Sequence, residues 1–146
     1  MKKYPVGYTQ GAFDMFHIGH LNLINHARAL CDRLVVGVNS DRLIREYKGK
    51  SAVINEAERA EIVRNLRAVD ECEVVDTLDK VAAWKRWRFD AIFIGDDWKG
   101  NPRWEKTRAD LAAFGADLVY LPRTEGVSST DLAAVIKKIL DDSNPA

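Results

Sequence analysis

Arg33–Asn39 reads RLVVGVN. A near-continuous β-branched run without polar alternation is the pattern of a strand covered on both faces, which a parallel sheet with helices on either side provides. The chain around it fits. LNLINHARALC (Leu21–Cys31) places Leu21, Ile24, Ala27 and Leu30 or Cys31 on one helical face, and YPVGYTQ (Tyr4–Gln10) before it reads as a first strand. After it come a helix in EAERAEIVRNLRAV (Glu56–Val69), a strand in CEVVD (Cys72–Asp76) and a helix in LDKVAAWKRW (Leu78–Trp87). The strand DAIFIG (Asp90–Gly95), the helix WEKTRADLAAF (Trp104–Phe114), the strand DLVYLP (Asp117–Pro122) and a last helix from near Ser128 complete the alternation. The expected fold is α/β: a single Rossmann-like domain with a five-stranded parallel sheet flanked by helices and wound with right-handed crossovers. It spans residues 1–140, and DDSNPA (141–146) is expected to be a frayed tail.

Composition narrows the function. The 146 residues are 47% hydrophobic, enough for one core. Lys plus Arg and Asp plus Glu both number 22, so no global basic field points to nucleic acid and any anion must be held by local charge. No signal-like or membrane-length apolar run is present, which gives the expectation of a cytoplasmic protein without a membrane partner. Cys31 and Cys72 lack a C-x-x-C spacing and read as buried, reduced thiols. Trp84, Trp87 and Trp104 read as packing residues, and His26 and Lys85–Arg88 as solvated helix surface.

In a parallel α/β sheet, ligands lie beyond the carboxyl ends of the strands. Four segments expected there are polar and glycine-bearing: GAFDMFHIGH (Gly11–His20), NSDRLIREYKGK (Asn39–Lys50), GDDWKG (Gly95–Gly100) and RTEGVSST (Arg123–Thr130). In the first, Gly11 permits a tight exit from the strand, and His17 and His20 stand three residues apart at the start of a helix. A helix N-terminus favours phosphate, two imidazoles beside it can donate to oxygens on phosphorus, and Gly19 lets a substrate approach the backbone. The same pair could instead be surface histidines near a cap. A zinc pair fits poorly, because the zinc-helix motif uses i, i+4 spacing and no third ligand is evident. In the last segment Ser128, followed by Asp131, reads as a capping-box-like helix start preceded by Arg123 and Gly126, again an anion site.

GAFDMFHIGH resembles the G-x-F-D-x-x-H-x-G-H motif of the nucleotidyltransferase superfamily, and RTEGVSST resembles the R-T-E-G-I-S-T motif of its cytidylyltransferases. With GDDW, Lys99, Gly100 and YLPRTEG, the chain looks most like the bacterial glycerol-3-phosphate cytidylyltransferases, from about Tyr8 to the final helix. The resemblance implies that His17 and His20 hold the triphosphate and stabilise the transition state, that Ala12 and Phe13 meet the nucleotide through the backbone, and that Asp14 fixes the loop. It implies Lys48 on the acceptor phosphate, Lys50 on the nucleotide phosphates and, across a gap, Lys80 on the acceptor side. Arg59, Arg67 and Asp97 match without strain, Arg67 and Asp97 being assigned to the nucleotide. Arg123, Thr124, Gly126, Ser128, Ser129 and Thr130 would close over the phosphates, with Lys48 and Arg123 joining the histidines in catalysis.

An acceptor phosphate monoester is already anionic, so its attack on the α-phosphorus needs charge neutralisation and in-line positioning rather than a strong base. The expected reaction is CMP transfer from CTP to a small phosphorylated alcohol, glycerol 3-phosphate first, with Mg2+ carried on the triphosphate and no protein side chains as its ligands. Phosphocholine, phosphoethanolamine and other polyol phosphates are alternative acceptors. ATP-using relatives that make FAD or ADP-heptose keep both histidines and form a second alternative, and a nucleotide-binding sensor a third. Homodimerisation is implied by the resemblance alone. Class I aminoacyl-tRNA synthetases share H-I-G-H, but the chain is short for one and lacks K-M-S-K-S.

Overall fold

The computed structural model describes residues 3–124 and 129–143. Strand β1 (Tyr4–Gly11) leads to α1 (Ile18–Ala29), β2 (Cys31–Asn39), α2 (Asp41–Lys48), α3 (Glu56–Arg64) and β3 (Glu71–Val75). The chain then forms α4 (Lys80–Trp87), β4 (Ala91–Gly95), a 3-10 turn (Asp96–Trp98), α5 (Pro102–Ala112), β5 (Asp117–Leu121) and α6 (Ser129–Ser143). The five strands are all parallel in the order β3-β2-β1-β4-β5. The winding reverses between β1 and β4, and a crevice at such a point is where parallel sheets take ligands.

The hydrophobic run of β2 divides with period two, as expected of a strand buried on both faces. Leu34, Val36 and Val38 join one core layer with Ile24 and Ala27 of α1, Ala60 and Val63 of α3, and Phe93. Val35 joins the opposite layer with Tyr8, Phe89, Ile92, and Trp104 and Leu111 of α5. Burying each large aliphatic or aromatic side chain contributes about 1.5–3 kcal/mol, so these layers fix the sheet on which the loops stand. Gly7 is required by packing: a Cβ there would meet the Phe93 ring at 2.5 Å. Cys31 and Cys72 are free and buried.

Several boundaries differ from the sequence expectation. Asp41–Lys48, read as loop, is a helix: Ser40 accepts from the Leu43 N–H at its start, Gly49 ends it in the left-handed region (φ 71°), and only Leu43 and Ile44 are buried. Residues 30 and 31 leave α1, because Cys31 pairs with Tyr4 and opens β2. Helix α3 stops at Arg64, where the Asn65 N–H turns back to the carbonyls of Ile62 and Val63, so 65–69 are not helical. Helix α6 runs through Ser143, which places 141–143, expected in the tail, inside a helix.

Candidate active site

The loop from β1 to α1 carries backbone strain. Phe13 (φ 50°) and Met15 (φ 47°) both occupy the left-handed region, which non-glycine residues enter only where the surroundings compel them. Two side chains supply that compulsion. The Asp14 carboxylate accepts from the N–H groups of Val53 (2.8 Å), Ile54 (2.9 Å) and Met15 (3.1 Å), tying the loop to the segment before α3. The Arg59 guanidinium, 1% exposed, donates to the carbonyls of Ala12 (2.7 Å), Asn39 (2.7 Å) and Ile54 (2.8 Å) and to Asp41 (2.7 Å). Burial pushes the Asp41 carboxyl up, but the hydrogen bond from Arg59, the Glu56 N–H and the charges of Arg59 and Arg45 together outweigh it and hold the group below the usual range. One buried cation thus joins the exits of β1 and β2 to the approach to α3.

His17 is the N-cap of α1, and its Nδ1 accepts from the Gly19 N–H at 3.0 Å. The Nδ1 of His20 accepts from the His17 N–H at 3.2 Å, completing a reciprocal capping box from two imidazoles. An Nδ1 that accepts carries no proton, so both neutral rings bear theirs on Nε2. The rings stack 3.8 Å apart. Burial, then Arg123, lowers the pKa of His17; burial, then His17, pushes His20 down to about 4, so both rings are neutral at pH 7. His17 Nε2 is buried without a hydrogen-bond partner, a donor waiting for an acceptor.

Both histidines line a cavity of about 640 Å³ at the reversal point of the sheet. The β1 loop contributes Ala12, Phe13, Asp14 and Gly19, with Phe13 5% exposed. From the β2 side come Lys48 at the end of α2 and Lys50 beyond it; burial, then the neighbouring Lys50, lowers the Lys48 pKa. Asp97 enters after β4, and Arg123 and Thr124 after β5. The Thr124 hydroxyl accepts from the Asn22 amide at 2.9 Å, which ties this segment to α1. Thr130 of α6 lines the cavity, Ser129 opens that helix, and Gly126 and Ser128 lie outside the described residues.

Two residues expected at the site are elsewhere. Arg67 is exposed on the turn beyond the shortened α3 and does not line the cavity. Lys80 is 6% exposed: its Nζ donates to the Leu78 carbonyl at 2.8 Å and sits 5.1 Å from the Trp104 ring centroid, inside the packing between α4 and α5. Its position as first residue of α4 turns it into that layer. Conversely, Ile44, Val53 and Trp98 line the cavity unforeseen. Trp98 belongs to the GDDW segment, where an aromatic among acidic and glycine residues after a strand was the available signal.

The family model for cytidylyltransferase-like proteins matches residues 8–135, from the middle of β1 into α6. The chain belongs to the cytidylyltransferase-like family. Curated relatives include the bifunctional protein HldE of Hyphomonas neptunium, 40% identical over 134 residues covering 88% of this chain and 26% of the relative. HldE of Rhodopseudomonas palustris (strain HaA2) is 50% identical over 128 residues, covering 87% and 26%. The chain therefore spans about a quarter of the length of these relatives. The fold recurs in a lipopolysaccharide core biosynthesis protein from Thermoplasma volcanium (TM-score 0.73, 23% identity, 84% of this chain and 99% of that one). Pantothenate synthetase from Thermus thermophilus shares it too (TM-score 0.64, 17% identity, 94% and 66%). Among the described residues of this cytidylyltransferase-like chain, no helix is long and apolar enough to cross a membrane.

Proposed function

We propose that the chain transfers a nucleotidyl group from a nucleoside triphosphate to a small phosphorylated acceptor. The observation that carries this reading is the pair of stacked, neutral imidazoles with both Nδ1 atoms held by backbone N–H groups and His17 Nε2 unpartnered, at the mouth of α1 in a cavity shared with Lys48, Lys50 and Arg123. An acceptor phosphate oxygen bonds to the α-phosphorus while the bond to the bridging oxygen of the β-phosphate breaks, and pyrophosphate leaves. Charge grows on the oxygens of the α-phosphorus and on the leaving group. His17 and His20 donate to those oxygens, and the lysines and Arg123 offset the charge of the two phosphate-bearing substrates. Mg2+ would arrive on the triphosphate: among the described residues no three of His, Cys, Asp or Glu converge as a cage, and the Asp14 oxygens already accept backbone N–H groups. When bound it supplies further charge neutralisation.

The relatives at 40 and 50% identity carry the HldE name, not that of a glycerol-3-phosphate cytidylyltransferase, and this favours the ATP-using, ADP-heptose-type alternative with a sugar phosphate as acceptor. The second reading, CTP with glycerol 3-phosphate, rests on RTEGVSST and GDDW. Pyrophosphate release with magnesium, crossing ATP and CTP against a heptose phosphate and glycerol 3-phosphate, tests both. Release with ATP and the sugar phosphate supports the first, and release with CTP and glycerol 3-phosphate the second. Nucleotide binding without release for any pair points to a sensor.

A further inference from the structure

The cavity has two chemically different sides. Because the strand order is β3-β2-β1-β4-β5, loops after β2 and after β4 lie on opposite sides of the histidine-bearing loop. The β2 side offers two ammonium groups, Lys48 and Lys50, which suit phosphate. The β4 side offers Gly95, Asp97 and Trp98 directly after the strand, with Arg123 following β5 beyond them. A carboxylate there opposes phosphate, and an indole offers a flat neutral face.

Trp98 differs from the other tryptophans. Trp84 stacks on Phe114, Trp87 stacks on Tyr8 and donates to Glu71, and Trp104 is 8% exposed in the core. Trp98 is 45% exposed, lines the cavity and stacks on no other ring among the described residues. Gly95 keeps the strand exit beside it bare: a Cβ would come within 2.7 Å of the Asp97 carboxylate. Large exposed aromatics carry a hydration cost that a flat ligand removes.

We infer that Trp98 is the stacking platform for the base of the nucleotide, with Asp97 beside it disfavouring phosphate and accepting from the nucleoside's N–H or O–H groups. This rests on the nucleotidyl-transfer reading and deepens it. Stacking uses the π face that every base has, so Trp98 supplies affinity without choosing between cytosine and adenine. The choice falls to groups that meet the base edge.

The test is binding without acceptor, so that no turnover intervenes. ATP, CTP and inorganic triphosphate are titrated by calorimetry and tryptophan fluorescence into the full chain, Trp98→Ala and Trp98→Phe. The expected result is weakening of both nucleotides in Trp98→Ala by about 5- to 150-fold, the range for removing a base-stacking aromatic, with triphosphate binding unchanged. Trp98→Phe should retain most of the affinity, and the nucleotide-induced fluorescence change should be lost in it. Unchanged nucleotide affinity in Trp98→Ala overturns the platform and leaves nucleotidyl transfer standing, as does a rise confined to the acceptor KM in turnover assays, which would assign the indole to the acceptor. Failure of both nucleotides to bind the unaltered chain overturns the platform together with the function on which it rests.

Discussion

Replacing Arg59 with Met keeps much of the side-chain volume and removes every hydrogen bond that the guanidinium makes. Three carbonyls, those of Ala12, Asn39 and Ile54, lose a charged donor 2.7–2.8 Å away, and Asp41 loses its ion-pair partner. An unsatisfied buried acceptor costs about 1–3 kcal/mol. The segments can move apart and admit water, and Asp41 is 29% exposed and regains hydration, so the sum is not the full product. The expected loss is about 3–5 kcal/mol, as for breaking a buried charged network by removing one partner. Urea unfolding reads it: with m about 2 kcal/mol/M, the midpoint should fall by about 2 M at unchanged m. Turnover of the folded fraction should fall too, because the same bonds hold the strained turn that presents His17. Arg59→Lys should recover little, since one ammonium cannot span four acceptors. A loss under 1 kcal/mol, or full turnover in the folded Met variant, would refute the claim that Arg59 fixes the loop geometry.

Three further outcomes follow from the same geometry. His17→Asn should fold, since Asn also serves as an N-cap, and His20→Asn should fold because its amide oxygen at N3 can still accept from the His17 N–H; each should lose roughly 100-fold or more in kcat for pyrophosphate release, and near-normal turnover in either would remove it from the chemistry. His20 is held down at about 4, below its unfolded value, so its contribution to stability is fully present above about pH 6.5 and is lost as pH falls toward 4. Urea midpoints between pH 7 and 4 should show this decline, and it should be shallower in His20→Asn. Lys80 is buried without an ion pair among the described residues, and burial brings its pKa down to about 8. Its desolvation therefore opposes folding below pH 8 and is relieved toward pH 10. Lys80→Met should raise the midpoint at pH 7, with the gain shrinking at pH 10, and leave the acceptor KM unchanged; a large rise in KM would return Lys80 to the substrate.

The sheet was legible because β2 carries its two-sided burial in its own residues: Leu34, Val36 and Val38 for one layer, Val35 for the other. Helix α2 was not, although Ser40 and Gly49 mark its ends, because only Leu43 and Ile44 turn inward and six polar or amphipathic residues mask the period. That omission hid Ile44 as a cavity residue. The convergence of four loops could be read from strand–helix alternation, yet the fate of single cations could not. Lys48, Lys80, Arg59 and Arg67 look alike in sequence. What separates them is which layer each helix start or end turns toward, a property of the packed sheet.

The histidine pair shows how local structure sets the chemistry. Had either Nδ1 been free, its proton could sit on either nitrogen, and the donor offered to the cavity would vary with solvent. Here the N–H of Gly19 occupies one Nδ1 and the N–H of His17 the other. Both N–H groups are among those that every helix leaves unpaired at its first turn. The helix end thus satisfies its own backbone by fixing the imidazole tautomers, and the fixed tautomers place both protons on Nε2. Lowered pKa values then keep the rings neutral, so positive charge in the cavity comes from Lys48, Lys50 and Arg123 while the histidines contribute directed hydrogen bonds. Donors that respond most strongly when negative charge develops on their acceptor stabilise a transition state more than a bound substrate. The strain at Phe13 and Met15 buys that orientation, and Arg59 and Asp14 hold it.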